Sequence, residues 1–154
     1  MLTAGNKAPT FKGKDQEGNT ISLSDFKGKP LVIYFYPQDN TPTCTQQACN
    51  LRDHFGLLRN KGFQVLGVSP DNIASHKKFA DKFELPFSLI ADPDHTIIEK
   101  FGVWGEKSMY GKKYMGLLRT TFILDEKGII RHVIAKPKAK QHAEEIMDIA
   151  SKIF

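Results

Sequence analysis

The feature that most constrains the fold is an uninterrupted run of β-prone apolar residues from Leu31 to Tyr36. A strand with one solvent-exposed face alternates apolar and polar residues, whereas a continuous apolar run is typical of a strand buried on both faces. Pro37 ends the run, because proline lacks the amide donor that a strand interior needs. The run therefore predicts a central strand that other elements cover on both sides.

Helical and extended patterns alternate after this strand. The apolar residues Ala48, Leu51, Phe55 and Leu58 have the spacing of one helix face, and Lys61-Gly62 predicts the end of that helix. The later predicted elements are a strand over 63–68, a helix over 73–83, a strand over 87–91, a short helix over 95–101 and a final helix over 141–153.

Two hairpins are predicted as well. Strands over 120–124 and 128–134 are joined by Asp125-Glu126-Lys127, a connection too short for a parallel crossover, so they must be antiparallel. Near the N-terminus, two short extended patches between Phe11 and Leu23 flank the turn signal Asp15–Asn19.

This order of elements predicts an α/β fold with a central mixed β-sheet, helices on both faces and an N-terminal β-hairpin. It is the order of the thioredoxin-like fold. A flavodoxin-like sheet would be all-parallel and would lack the terminal hairpin. We expect residues 1–154 to form one domain, since this length suits a single core and contains no linker or repeat.

Composition limits the partners. An apolar fraction of 40% and a charged fraction of 25% are those of a soluble globular protein. No stretch approaches the roughly 20 apolar residues of a membrane span, and residues 1–7 lack the apolar core of a secretory signal. The net charge is +5, but lysines are spread from Lys7 to Lys152 among acids. We therefore expect a cytoplasmic protein that binds neither membrane nor nucleic acid.

The chain has two cysteines, Cys44 and Cys49. Two are too few for a disulfide scaffold, and the five histidines are dispersed without the spacing of metal ligands. No metal site is predicted. A cysteine pair of this kind in a cytosolic protein is more often catalytic or redox-active than structural.

The segment around Cys44 follows the carboxyl end of the buried strand, where open α/β sheets place their active sites. With Thr41 as N-cap, Pro42 takes the first helical position, which it favours, and Cys44 falls in the first turn. There the helix dipole and unpaired backbone amides favour the nucleophilic thiolate.

Helical geometry separates the two cysteines. Cys44 shares the inward stripe with Ala48, whereas Cys49 lies about 140° further round the helix. Five residues also add about 7.5 Å of rise, more than the usual Cα separation across a disulfide. Either the two cysteines never bond, or the helix unwinds locally when they do.

The pattern Pro37-x3-Thr41-x2-Cys44 resembles the active-site motif of the peroxiredoxin family. A second cysteine five positions later, Cys49, resembles the bacterioferritin comigratory protein (peroxiredoxin Q) subgroup. The likeness spans essentially the whole chain, including residues 101–107 and the segment that begins at Arg119. Thr43 is a departure, because that subgroup commonly has glycine there; it leaves every reacting group in place.

The resemblance implies a thiol-dependent peroxidase with a thioredoxin-like fold. Cys44 would be the peroxidatic cysteine, and Cys49 the resolving cysteine that forms a disulfide with it. Thr41 would hydrogen-bond the thiolate and the peroxide, Arg119 would stabilise the thiolate and polarise the O–O bond, and Pro37 would shield the pocket from water. The substrate would be hydrogen peroxide or an organic hydroperoxide, with thioredoxin or a similar dithiol as reductant. No cofactor is required, and we expect a monomer.

Simpler interpretations stand beside these roles. Cys44 could be a buried core cysteine and Cys49 a bystander thiol. Thr41 could serve only as a helix cap, Arg119 as a surface ion-pair partner and Pro37 as a strand terminator.

Two other functions remain. A thioredoxin-like disulfide oxidoreductase would favour Cys-x2-Cys, in which both sulfurs meet without unwinding. A redox-regulated binding protein without enzymatic activity is the second. Nucleotide binding is not expected, because residues 102–108 lack the spacing of a phosphate loop.

Overall fold

A computed structural model describes residues 2–154, and only Met1, the first residue of the predicted domain, lies outside them. The strands are β1 (Lys12–Lys14), β2 (Thr20–Ser22), β3 (Leu31–Phe35), β4 (Gln64–Ser69), β5 (Ser88–Ala91), β6 (Trp104–Met109), β7 (Lys112–Leu117), β8 (Thr120–Leu124) and β9 (Ile130–Ile134). The helices are α1 (Pro42–Asp53), α2 (Phe55–Asn60), α3 (Ile73–Phe83), α4 (Thr96–Lys100) and α5 (His142–Ile153), with 3₁₀ turns at Leu23–Phe26 and Ala139–Gln141.

Seven strands form one mixed sheet in the order β2-β1-β5-β4-β3-β8-β9. The three inner strands β3, β4 and β5 are parallel, and β1, β2, β8 and β9 join antiparallel. The predicted central mixed sheet, its N-terminal hairpin β1–β2 and the antiparallel pair β8–β9 are confirmed. Because parallel strands end at the same edge of a sheet, the chain leaves β3, β4 and β5 on one common edge.

Strand β3 is buried on both faces, as its sequence predicts. Val32 and Tyr34 face a core completed by α1, α2, α3 and α5. Ile33 and Phe35 face a second core that includes residues of α4 and the N-terminal segment. The alternation of side chains along the strand thus divides one apolar run between two cores. Helices lie on both faces of the sheet, which confirms the predicted architecture.

The helix after β3 differs from its prediction. A single helix ending at Lys61-Gly62 was expected, but the chain breaks at His54 into α1 and α2. The His54 ring nitrogen Nδ1 lies 2.9 Å from the carbonyl oxygen of Asn50, and the next turn contains Gly56, a weak helix former. The side-chain contact and the glycine together favour the break.

The hairpin β6–β7 was not predicted. Its sequence lacks apolar alternation because the hairpin forms its own two-stranded sheet and most of its residues are exposed. The available signal was the turn Tyr110-Gly111, where both residues have positive φ (52° and 78°), as in the tight turns that suit the twist of hairpins. The Leu118 amide donates to the carbonyl of Val103 at 2.7 Å, which closes the base of the hairpin one residue before Arg119.

Candidate active site

The predicted site residues Pro37, Thr41, Cys44 and Arg119 lie at the edge where the parallel strands end. Pro37 and Thr41 belong to the loop between β3 and α1, and Cys44 to the first turn of α1. Arg119 is brought to the same edge by strand pairing. Phe35, the last residue of β3, pairs with Thr120, the first residue of β8, so Arg119 emerges beside the start of the loop.

Cys44 occupies the predicted position in α1. Thr41 is the N-cap in an extended conformation (φ −88°, ψ 157°), and Pro42 begins the helix. The Cys44 side chain points inward, and the residue is only 2% exposed within the core that contains Tyr34 and Ala48. A buried thiol at a helix N-terminus lies where unpaired backbone amides favour negative charge.

Arg119 contacts the Cys44 sulfur directly. Its Nη2 donates to Sγ at 3.1 Å, and its Nη1 lies 3.7 Å from the same atom. The guanidinium is partly buried, so solvent screens its charge less than at an exposed site. A guanidinium at this distance can stabilise negative charge on the sulfur.

Gln47 belongs to the same cluster, and sequence reasoning missed it. It lies three residues after Cys44 on the inward face of α1 and is 1% exposed. Its Oε1 accepts a hydrogen bond from Arg119 Nη1 at 3.4 Å, while its Nε2 has no hydrogen-bond partner among residues 2–154. The helical spacing i, i+3 from Cys44 was the signal that could have found it. Gln47 orients the guanidinium toward the sulfur.

Thr41 does not bond the sulfur in this structure. Its hydroxyl donates to the carbonyl of Gln38 at 3.1 Å and makes no capping bond to the helix. The hydroxyl oxygen keeps lone pairs that can accept a hydrogen bond from a bound substrate. Pro37 is partly buried at the start of the loop. Both residues lie in the loop that leads to Cys44. Their predicted roles stay predictions.

Cys49 is partly buried, whereas Cys44 is buried, and both thiols are free. The intact α1 helix holds them five residues apart, as the sequence predicted. The residue next to Cys49, Asn50, ties α1 to the start of α5. Its Nδ2 donates to the Lys140 carbonyl at 3.0 Å, and its Oδ1 accepts from the Ala143 amide at 2.7 Å. Asn50 therefore caps α5 from a neighbouring helix.

A second buried polar cluster lies behind the loop of residues 37–41. Asp39, Asp71 and His76 place potential ligand atoms within 4.8 Å of one another. Asp39 is 7% exposed and His76 is fully buried. Neither residue was selected from the sequence, because a lone aspartate and a dispersed histidine have no recognisable spacing.

Tyr34 lies beneath the site on the α1 side of the sheet. Burial, reinforced by the nearby Asp39 and Cys44, raises the pKa of Tyr34 well above its ordinary value of 10.0. Its ring covers Gly67 of β4, where a Cβ atom would come within 2.9 Å of the ring. Its hydroxyl has no hydrogen-bond partner among residues 2–154. Tyr34 thus lies below Cys44 as an uncharged phenol.

A groove with a volume of about 970 Å³ lies elsewhere, near Leu31 and Leu124, at the start of β3 and the end of β8, which is the edge opposite Cys44. None of the helices in residues 2–154 combines the length and apolar character that a membrane span needs.

Comparison with known proteins links the whole arrangement to one family. Residues 4–133 match the AhpC/TSA family. The chain is 44% identical to peroxiredoxin Bcp of Escherichia coli strain K12, over 96% of this chain and 94% of that protein. It is 43% identical to peroxiredoxin Bcp of Bacillus subtilis strain 168, over 95% of this chain and 93% of that protein.

Solved structures give the same picture. A crystal structure of PrxQ from Xylella fastidiosa superposes with a TM-score of 0.91 at 28% identity, covering 99% of this chain and 97% of that one. A structure of the bacterioferritin comigratory protein of Xanthomonas campestris, described for its alkyl peroxide reduction activity, superposes with a TM-score of 0.86 at 32% identity. It covers 92% of this chain and 90% of that one.

Proposed function

The chain belongs to the AhpC/TSA family and is a peroxiredoxin, a thiol-dependent peroxidase; from this premise we propose that Cys44 is its peroxidatic cysteine and Cys49 its resolving cysteine. The observation that carries the proposal is the 3.1 Å contact between Arg119 Nη2 and Cys44 Sγ at a helix N-terminus. Among residues 2–154 there is one other cysteine, and it has no comparable contact with a cation.

In the first step the Cys44 thiolate attacks one oxygen of the peroxide. The S–O bond forms as the O–O bond breaks, and the second oxygen leaves with the electron pair and takes up a proton as water or an alcohol. The products are a Cys44 sulfenic acid and the reduced peroxide. Arg119, released in part from the sulfur as its charge disappears, stabilises the charge that develops on the leaving oxygen.

Thr41 and Pro37 form the entrance side of this site in our proposal. The Thr41 hydroxyl donates to the Gln38 carbonyl, which turns its lone pairs outward to accept the peroxide O–H. Pro37 offers no amide donor and excludes water from the reacting atoms. The unpaired first-turn amides of α1 add fixed donors beside the sulfur.

The second step joins the two cysteines. The Cys49 thiol attacks the Cys44 sulfenic sulfur, a disulfide forms and water leaves. Because an intact α1 holds the two residues about 7.5 Å apart along its axis, the helix must unwind before the bond can form. A dithiol such as thioredoxin then reduces the disulfide by thiol exchange and regenerates both thiols.

Several broader features belong to the same proposal. An intrachain resolving cysteine removes the need for a second subunit, so we propose a monomer. One seven-stranded sheet with a core on each face supports a single domain over residues 1–154. A cycle that passes through free thiols suits the reducing cytoplasm.

A peroxide-consumption assay with and without thioredoxin tests the function. We expect consumption of hydrogen peroxide that continues only while thioredoxin and its reducing system are present. Disulfide reduction without peroxide consumption would identify a thioredoxin-like oxidoreductase. A protein that is oxidised once and does not turn over with any dithiol would be a redox-regulated binding protein.

A further inference from the structure

We propose that the buried Asp39–His76 pair is a positioning element that holds the loop of residues 37–41 in the geometry needed for peroxide reduction. The inference rests on the proposed function of Cys44 and Thr41 and adds two residues to it. Neither Asp39 nor His76 contacts the Cys44 sulfur, so the pair acts through the loop.

Asp39 is the anchor of this loop. Gln38 and Asn40, its neighbours, are exposed, whereas the Asp39 side chain is 3% exposed and enters the interior. The Asp39 amide donates to Asp71 Oδ2 at 2.7 Å. Asn40 has a left-handed backbone (φ 60°), a conformation that asparagine adopts more readily than most residues other than glycine. Thr41 follows directly, so its position depends on this anchor.

The Asp39 carboxylate is surrounded by donors. The Tyr36 hydroxyl donates to Oδ1 at 2.6 Å, the Ser75 hydroxyl donates to Oδ2 at 2.8 Å, and His76 Nδ1 lies 2.7 Å from Oδ2. Burial, together with Tyr34 and Asp39 itself, raises the pKa of Tyr36 well above its ordinary value of 10.0. Tyr36 therefore remains a donor at every pH at which the protein works.

His76 connects the loop to the sheet. The ring is completely buried, and its Nε2 lies 3.0 Å from the carbonyl oxygen of Ile90 in β5. A carbonyl can only accept, so Nε2 carries a proton. The contact between Nδ1 and Oδ2 needs a second proton, because two unprotonated acceptors at 2.7 Å would repel each other. Both ring nitrogens of His76 therefore take part in hydrogen bonds, one to the loop and one to the sheet.

Such a pair is a poor choice for stability alone. Burying two polar side chains removes their hydration, and apolar side chains of similar size often stabilise a core as well or better. What the pair adds is direction, because each hydrogen bond fixes an angle as well as a distance. A misplacement of about 1 Å in a catalytic group can cost on the order of 100-fold in rate. The loop that carries Pro37 and Thr41 is where such precision matters.

A metal ion is the alternative occupant of the same cluster. Asp39, Asp71 and His76 have suitable ligand atoms, but those atoms already accept or donate the hydrogen bonds described above, together with one from Ser69 to Asp71 at 2.7 Å. Positioning by hydrogen bonds predicts that chelation with EDTA leaves the peroxide rate unchanged. A rate that falls on chelation and returns with a divalent cation would overturn the proposal.

Two isosteric variants of His76 separate its two contacts. His76→Asn keeps an N–H donor where Nδ1 meets Asp39, whereas His76→Gln keeps a donor where Nε2 meets Ile90 and loses the Asp39 contact. Both are made in a Cys49→Ser background, in which Cys44 is the only thiol. Stopped-flow kinetics give the second-order rate constants of Cys44 with hydrogen peroxide and with iodoacetamide. Alkylation needs the thiolate but not the Thr41 loop.

We expect His76→Gln to slow the peroxide reaction by about 10- to 100-fold and to change alkylation by less than about twofold. His76→Asn should recover most of the peroxide rate. A parallel fall of both rates would indicate general loss of structure and overturn the proposal, as would an unchanged peroxide rate in His76→Gln. Equal selective loss in both variants would show that the donor to Asp39 does not by itself hold the loop, and it too would overturn the proposal.

A milder variant covers the case in which the His76 substitutions do not fold. Ser75→Ala removes one hydrogen bond to Asp39 Oδ2 and leaves the pair in place. It should slow the peroxide reaction a few-fold without changing alkylation, and equal rates with wild type would overturn the proposal. A Cys49→Ser parent that reacts with iodoacetamide but not with peroxide would instead refute the proposed function, so the two failures are distinguishable.

Discussion

The Arg119 guanidinium lies 3.1 Å from the Cys44 sulfur, although the two residues are 75 positions apart in the chain. Strand pairing produces this contact, since Phe35 of β3 lies opposite Thr120 of β8. The position of Cys44 is thus set by the loop and helix after β3. The position of Arg119 is set by β8, the strand that pairs with β3. The contact joins the cysteine that we propose as the nucleophile to the cation that we propose activates it.

Arg119→Ala should make Cys44 a weaker nucleophile at neutral pH, because the positive charge that contacts its sulfur is lost. We expect the rate constant of Cys44 alkylation at neutral pH to fall and the peroxide rate constant to fall by about 100-fold, the usual effect of removing a donor to developing negative charge. Arg119→Lys is the matched control, since it keeps the charge but cannot contact Cys44 and Gln47 together. Unchanged alkylation and peroxide rate constants in Arg119→Ala would leave Arg119 with a structural role only.

Cys44→Ser should abolish peroxide reduction while the protein remains folded, because a serine hydroxyl is not appreciably ionised at neutral pH. The matched variant Cys49→Ser should still form one equivalent of sulfenic acid, detected by mass spectrometry after dimedone labelling, and should fail to form the intrachain disulfide. Substantial peroxidase turnover in Cys44→Ser would contradict the assignment of the nucleophile.

Oxidation should unfold part of α1. A Cys44–Cys49 disulfide cannot span an intact helix, so amide hydrogen exchange should increase over residues 43–53 in the oxidised protein and change little in the inner strands. The structure adds a second region, because Asn50 caps the Ala143 amide at the start of α5. Exchange at the first turn of α5 should rise as well. Full protection of α1 after oxidation would mean that another molecule's thiol resolves Cys44.

Asn50→Ala should speed disulfide formation. The substitution removes the contacts of Asn50 with Lys140 and Ala143, which we expect to be worth about 1 kcal/mol, and this makes unwinding of α1 roughly fivefold more favourable. The rate of sulfenic acid loss, followed by tryptophan fluorescence or quenched alkylation, should increase while the first reaction with peroxide is unchanged. Asn60→Ala, at the exposed end of α2, is the control and should alter neither step.

Glu145 should make stability depend on acid pH. Burial tends to raise the pKa of Glu145, but hydrogen bonds from His142 and from the Lys138 amide outweigh it, so the pKa lies below its ordinary value of 4.5. A carboxyl group with a lowered folded-state pKa stabilises the fold above about pH 4.5 and loses this contribution as pH falls through the folded pKa.

Glu145→Gln tests this dependence. The variant should be less stable at pH 7, by on the order of 1 kcal/mol, and the difference from wild type should shrink below pH 4.5. Urea unfolding at a series of pH values measures both. A stability difference that is the same at pH 3 and pH 7 would show that the charge of Glu145 is not responsible.

Much of the fold was predictable from local patterns. The run from Leu31 to Tyr36 indicated a strand buried on both faces, and the structure divides its side chains between two cores. Helix α3 has the predicted bounds, Ile73–Phe83. Periodic apolar residues report burial directly, so elements that contribute to the core are visible in the sequence. The hairpin β6–β7 contributes little to the core and was missed for that reason.

The sequence by itself determined the place of Cys44 in the first turn of α1 and its separation from Cys49, because these follow from a local motif and from helical geometry. Only the tertiary structure decided which groups surround Cys44. The contact with Arg119 depends on the register of β3 and β8. The part that Gln47 takes in the site depends on its hydrogen bond with the Arg119 guanidinium. The Asp39–His76 pair joins a loop to a helix that is distant in the sequence. Such contacts leave no periodic trace in the chain, since hydrogen bonds between distant residues depend on where the fold brings their side chains together.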